Sequence, residues 1–143
     1  VKPEVAGQVR ALHLTLADAG LTPADIDYVN AHGTATAEGD PVEVAALKQV
    51  FGERAAQLPV SATKSMHGHL LGAAGAIEAI ATVLALREQV VPPTAHLDGK
   101  LDPACAGVDH VTTGRRQPLR AALSNSFAFG GSNAVLAFRA VAP

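Results

Sequence analysis

Pro59-Val60-Ser61-Ala62-Thr63 leads without a break into Lys64-Ser65-Met66-His67-Gly68-His69-Leu70-Leu71, and then into Gly72-Ala73-Ala74-Gly75-Ala76-Ile77-Glu78-Ala79-Ile80-Ala81-Thr82-Val83-Leu84-Ala85-Leu86. The first segment reads as a short strand behind a proline, the second as a polar loop. The third is long enough for a helix and is small or apolar on nearly every side, so it is expected in the core with neighbouring backbones close to it. Strand, polar loop and buried helix in that order form the repeating unit of an α/β fold.

Upstream, the pattern repeats. Val9, Leu12, Leu16 and Ala19 recur at helical spacing after Pro3, and Gly20 stops that helix. Thr22-Pro23-Ala24-Asp25 predicts a capped single turn, and Ile26 to Ala31 a strand. His32 to Gly39 is a loop. Asp40-Pro41-Val42-Glu43 reads as N-cap, proline at N1 and an acidic first turn, opening a helix to Phe51 that Gly52 ends. Downstream, Pro92-Pro93 begins an extended connector, 108–111 is a short strand, and 121–127 and 134–138 are strands joined through Phe129-Gly130-Gly131-Ser132 as an antiparallel hairpin. With no internal repeat, linker or low-complexity tract, residues 1–143 are expected to form one domain.

Composition narrows the class. Of the 143 residues 48% are hydrophobic and only 17% charged, against about 25% charged in an average soluble domain. Mean hydropathy is +0.21. The chain has too much apolar material for disorder, and its low charge suggests surface meant for burial. A net charge of −2 gives no electrostatic case for binding nucleic acid. A single cysteine, Cys105, excludes an internal disulfide framework and points to the cytoplasm. No apolar run is long enough for a membrane helix, so no membrane partner is expected. The start at Val1, without methionine or signal-peptide pattern, reads as the edge of a piece cut from something longer.

Polar chemistry gathers in three segments: Asn30-Ala31-His32-Gly33-Thr34-Ala35-Thr36, Thr63-Lys64-Ser65-Met66-His67-Gly68-His69 and Phe127-Ala128-Phe129-Gly130-Gly131-Ser132-Asn133. Loops at strand ends are where α/β sheets gather ligands. Each segment alone is weak. If extended, His67-Gly68-His69 would turn both rings to one side for a metal, but no carboxylate or thiolate sits at ligand spacing, so no metal is assigned. Gly72-Ala73-Ala74-Gly75 lacks the lysine and spacing of a phosphate loop and suits close helix packing instead.

Taken together, His32-Gly33-Thr34, the run from Lys64 to Gly75 and the run from Asn125 to Asn133 resemble the β-ketoacyl synthases, condensing enzymes of fatty-acid and polyketide synthesis. The resemblance covers the chain end to end and matches only the C-terminal portion of such an enzyme. It implies the C-terminal half of a thiolase fold, a mixed β-sheet with helices packed on it. It also implies that the family's nucleophilic cysteine lies in an N-terminal half absent from this chain. Cys105, in the connector Leu101-Asp102-Pro103-Ala104-Cys105, is read as an ordinary thiol.

The implied reaction is a decarboxylative Claisen condensation of an acyl thioester with malonyl-acyl carrier protein. On that resemblance, His32 and His69 stabilise the enolate, and Lys64 holds the histidine loop, with Glu78 as its counter-charge. Phe129 corresponds to the gating residue whose backbone N–H joins the oxyanion hole, and Gly130 and Gly131 give its loop unusual backbone angles. Thr34 and Thr36 correspond to threonines that bind the phosphopantetheine arm. Asn30, Glu78, Ser124 and Asn125 resemble a group around a structural monovalent cation in some members. No cofactor is implied beyond the phosphopantetheine that carries the substrates. The implied partners are the N-terminal half, acyl carrier protein and a second subunit in a homo- or heterodimer. Ala128 and Ser132 depart from the commoner glycine and threonine. Two rival readings are a non-catalytic partner of the chain-length-factor kind and a thiolase-fold acyltransferase using CoA thioesters. The first usually loses the His32, Lys64 and His69 set. The second carries a Cys-x-Gly where this chain has Phe129-Gly130-Gly131.

Overall fold

The computed structural model describes residues 2–141, without the side chain of Phe129. Its centre is a five-stranded mixed sheet built from β1 (Tyr28–Asn30), β2 (Pro59–Ser61), β4 (Asp109–His110), β6 (Ala121–Phe127) and β7 (Asn133–Arg139), in the order β4-β2-β1-β6-β7. The first four strands are parallel, and β7 runs antiparallel to β6 as the hairpin predicts. Helix α2 (Gly39–Phe51) connects β1 to β2, and α4 (Ala74–Glu88) lies on the path from β2 to β4.

Strand alternation divides the interior into two layers. Val29, Val60 and Leu123 meet Leu12 and Leu16 of α1 (Val5–Asp18) and Val44 and Leu47 of α2 on one face. Tyr28 and Ala122 meet Ala85 and Leu86 of α4 on the other. Because α1 and α2 cover one face and α4 the other, the sheet is α/β in the expected sense.

Several local expectations need correcting. The segment 64–71 is not all loop: Lys64–His67 forms a helical turn, α3, and Leu71–Ala73 a 3-10 turn. Asp40 is not the N-cap of α2. The helix starts at Gly39, whose N–H donates to Thr36 Oγ1, while Asp40 Oδ1 accepts from Thr36 N. A two-stranded sheet of β3 (Val90–Val91) and β5 (Arg115–Arg116) was not foreseen, since strands this short leave no periodicity to read. Helix α4 is also not buried all round. Ile80, Val83 and Leu84 are 55%, 47% and 41% exposed, a contiguous apolar stripe at helical spacing. No helix among the described residues is long and apolar enough to cross a membrane.

Candidate active site

Strand β1 lies between β2 and β6, and all three are parallel. Their C-terminal ends therefore open on the same edge of the sheet and deliver three adjacent loops: His32 follows β1, Lys64 follows β2 and Phe127 ends β6. This edge is where an open α/β sheet places its ligand. The rings of His32 and His69 meet edge-on, with centroids 5.6 Å apart and planes at 87°. Phe127 packs against the other side of His32 at 6.1 Å.

Lys64 is buried beside His32, where it forms an ion pair with Glu78 from the second turn of α4. Its Nζ also lies 3.4 Å from His32 Nδ1. An ammonium can only donate, so Nδ1 of His32 accepts and the ring proton sits on Nε2. His69 reaches the same tautomer by another route, because its Nδ1 accepts the backbone N–H of Leu71 at 3.1 Å. A neutral His69 thus also carries its proton on Nε2. Burial first, then the positive charge of Lys64, then His69, lowers the pKa of His32 to about 4. His32 is therefore neutral at physiological pH, and each ring can present one N–H donor.

Glu43 holds the loop of His32, although the sequence places it only in a first helical turn. It lies one turn inside α2 and is fully buried there. One carboxylate oxygen accepts from the backbone N–H of His32 (2.9 Å) and from Asn125 Nδ2 (3.0 Å); the other accepts from Gly33 N (2.9 Å). Burial outweighs these bonds and raises its pKa. The spacing from His32 to Glu43 was the available signal, since it turns an acidic residue of the following helix back toward the loop. Gly33 makes the close approach possible: its φ is +42°, and a Cβ there would lie 2.5 Å from that of Ala62.

Thr34 and Thr36 sit on the same loop with hydroxyls 3.5 Å apart, and that of Thr36 caps the start of α2. Gly130 and Gly131 have φ of +83° and +79°. The backbone of Phe129 belongs to the turn Phe129–Gly131, while its side chain lies outside the described residues. The turn is closed by Ala128 N donating to Ser132 O at 2.8 Å.

Of the four residues linked to a monovalent cation, Asn30 and Glu78 lie together: Asn30 Nδ2 donates to the Glu78 carbonyl at 3.2 Å. Glu78 Oε2 is buried without a hydrogen-bond partner among the described residues, as such an ion would require. Ser124 is buried on the strand beside Asn30. Asn125 does not fit through its side chain, which strand alternation turns to the α2 face and onto Glu43. His67 and His69 do not form an extended pair either, because the chain turns at Gly68 (φ +79°) and the ring of His67 folds back on Thr63. Cys105 is buried at the end of a 3-10 turn, where burial and the carboxylates of Asp40, Asp102 and Glu43 push its thiol up, away from the reactive thiolate.

Residues 1–98 match the family described as the β-ketoacyl synthase C-terminal domain. Nodulation protein E of Rhizobium leguminosarum bv. trifolii is 51% identical over 141 residues, which cover 99% of this chain and 35% of that protein. The 3-oxoacyl-[acyl-carrier-protein] synthase 2 of Synechocystis sp. is 49% identical over 138 residues, covering 96% of this chain and 33% of that protein. The solved structure of the ishigamide ketosynthase/chain length factor superposes with a TM-score of 0.92 at 39% identity, over 99% of this chain and 34% of that one. The chain thus spans about a third of the length of the relatives it matches. Those neighbours are thiolase-fold ketosynthases, and the chain belongs to the β-ketoacyl synthase family as its C-terminal domain.

Proposed function

We propose that the protein carrying this domain condenses an acyl thioester with malonyl-acyl carrier protein, and that this chain supplies the His32, His69 and Lys64 part of the site. The observation that carries the reading is the matched tautomers of the two histidines. Each has Nδ1 occupied as an acceptor and Nε2 left to donate, with the rings 5.6 Å apart.

In the first half-reaction a cysteine thiolate of the remaining part of the enzyme attacks the acyl thioester. The carrier's thiol leaves, and the acyl group stays on the cysteine. In the second, the C–C bond to the malonyl carboxylate breaks, CO2 leaves, and the electron pair passes into the thioester as an enolate. That oxygen gains negative charge, and the two Nε2–H donors stabilise it. The enolate carbon then attacks the acyl-cysteine carbonyl, whose oxyanion is held in part by the backbone N–H of Phe129, and the cysteine thiolate is released. Throughout, burial and Lys64 keep His32 neutral, and Glu78 balances the charge of Lys64. Asn30 and Glu78 would hold a monovalent ion, which would neutralise the unpartnered carboxylate oxygen. Thr34 and Thr36 line the approach for the phosphopantetheine arm.

The exposed apolar stripe of Ile80, Val83 and Leu84, with Leu136 on the adjacent strand and Leu71 beside the site, supports the N-terminal half as the main partner. Acyl carrier protein is the second, and the first half-reaction needs it as donor. The test is CO2 release from malonyl-acyl carrier protein by the full-length enzyme. His32→Ala and His69→Ala should each lower it about 100-fold or more, as loss of an oxyanion donor does. Full activity in both variants overturns the reading. Condensation by the isolated 143 residues overturns the division of the site between two halves.

A further inference from the structure

His67 has no part in the chemistry above, yet its ring is contacted at both ends. Nδ1 lies 2.8 Å from the carbonyl oxygen of Gly68, and Nε2 lies 3.3 Å from Thr63 Oγ1. The Gly68 carbonyl belongs to the peptide that delivers His69. Gly68 N is held by Lys64 O at 2.8 Å, so the side chain of His67 fixes the far end of the same link. Beyond it the chain is exposed from Gly68 to Ala73, and among the described residues the Leu71 N–H is the hydrogen bond to the His69 ring. Thr63, by contrast, is buried and bonds Asn30 Oδ1 at 3.1 Å at the end of β1.

We propose that His67 is a positioning residue for His69: its Nδ1–H holds the carbonyl of the Gly68–His69 peptide while its ring rests on Thr63, which is itself bonded to Asn30 at the end of the central strand. This rests on the condensing role given to His69. The proton count agrees with the geometry. A carbonyl can only accept, so Nδ1 of His67 carries the proton, while the one hydroxyl proton of Thr63 goes to Asn30 Oδ1 and Nε2 only packs against Thr63 Oγ1. His67 and His69 are thus held in opposite tautomers, one facing inward as an anchor and the other presenting its N–H outward.

The test uses the full-length enzyme. His67→Ala should lower kcat for malonyl decarboxylation about tenfold with KM little changed, because the donor is misplaced and not removed. Acyl transfer to the cysteine should stay within about twofold, since that step does not use the His69 N–H. His67→Asn keeps an N–H donor in reach of the Gly68 carbonyl and should restore most of the loss. Unchanged kcat in His67→Ala overturns the proposal, as does an equal loss in both half-reactions that His67→Asn fails to rescue. Ring-nitrogen NMR of His69 reads the same question without turnover. The wild type should show Nδ1 as acceptor and Nε2 protonated, and His67→Ala a mixture of tautomers; an unaltered His69 spectrum in the variant overturns the proposal even if the condensing reading itself fails.

Discussion

Lys64 places its ammonium 3.4 Å from Nδ1 of His32 while its charge is taken up by Glu78. One buried cation therefore sets the tautomer of the histidine and, with burial, lowers its pKa to about 4. The sign follows from linkage. The unfolded chain protonates His32 near its ordinary value of 6.5, and the folded chain does so only near 4. Folding stability from this group is fully present above 6.5 and is lost as pH falls toward 4. Decarboxylation should accordingly keep its His32-dependent component from pH 8 down to about 5 and lose it near 4. Replacing Lys64 with Met removes the neighbouring cation and leaves Glu78, so ring NMR should find the His32 titration moved upward. A titration that stays where it was would show that Lys64 does not control this ring.

The same pair governs stability. Both side chains are almost fully buried, and removing one leaves the other as an uncompensated charge in the core. Glu78→Ala should cost roughly 3–5 kcal/mol in urea unfolding of the full-length enzyme, whereas Lys64→Met with Glu78→Gln together should recover most of it. The double variant should still be slow in decarboxylation, because the group that holds His32 is gone. Recovery of both stability and turnover would reduce the pair to a structural role.

What was legible in the sequence follows from what makes local structure local. The β6–β7 hairpin, the helix containing Leu12 and Leu16 and the turn Thr22–Asp25 are each fixed by nearby residues, and each lies where periodicity or capping chemistry puts it. Strand order is different: β6 sits beside β1 although 90 residues separate Asp27 from Gln117, which bond at that edge. Nothing local encodes this. The exposed side of α4 was misread for a related reason. Its composition is that of a buried helix, and an apolar face left exposed has the same residues as one already covered. In the site, His32, Lys64, His69 and Glu78 were identified through family resemblance, whereas Glu43 was missed because an acid near a helix start has an ordinary explanation in the helix dipole.

Glu43 gives a prediction that shape alone would get wrong. Both its oxygens accept, one from His32 N and Asn125 Nδ2 and the other from Gly33 N. Glu43→Gln keeps the volume but turns an NH2 group toward at least one of these N–H donors. It should lower stability by about 1–3 kcal/mol, the cost of leaving a buried donor unpaired. The loop carrying His32 should shift with it, so kcat for decarboxylation should fall more than KM rises. Wild-type values for Glu43→Gln would mean that the backbone holds the loop without the carboxylate.

Gly33 supplies a cleaner dissection of the same loop. A methyl group at this position meets two separate obstacles: the Cβ of Ala62 at 2.5 Å and a backbone held at φ +42°. The first is a packing clash, worth about 1–3 kcal/mol in a tight interior. The second is the left-handed penalty of an L side chain, about 1–2 kcal/mol. Gly33→Ala should therefore destabilise the enzyme and displace the His32 peptide, which Glu43 grips one bond away. Adding Ala62→Gly removes the clash but not the backbone penalty, so the double variant should recover part of the lost stability and part of the decarboxylation rate. Full recovery would assign the whole effect to packing against Ala62. No recovery would place it in the turn itself, where the chain leaves β1 and must bend at once to bring the histidine over Lys64.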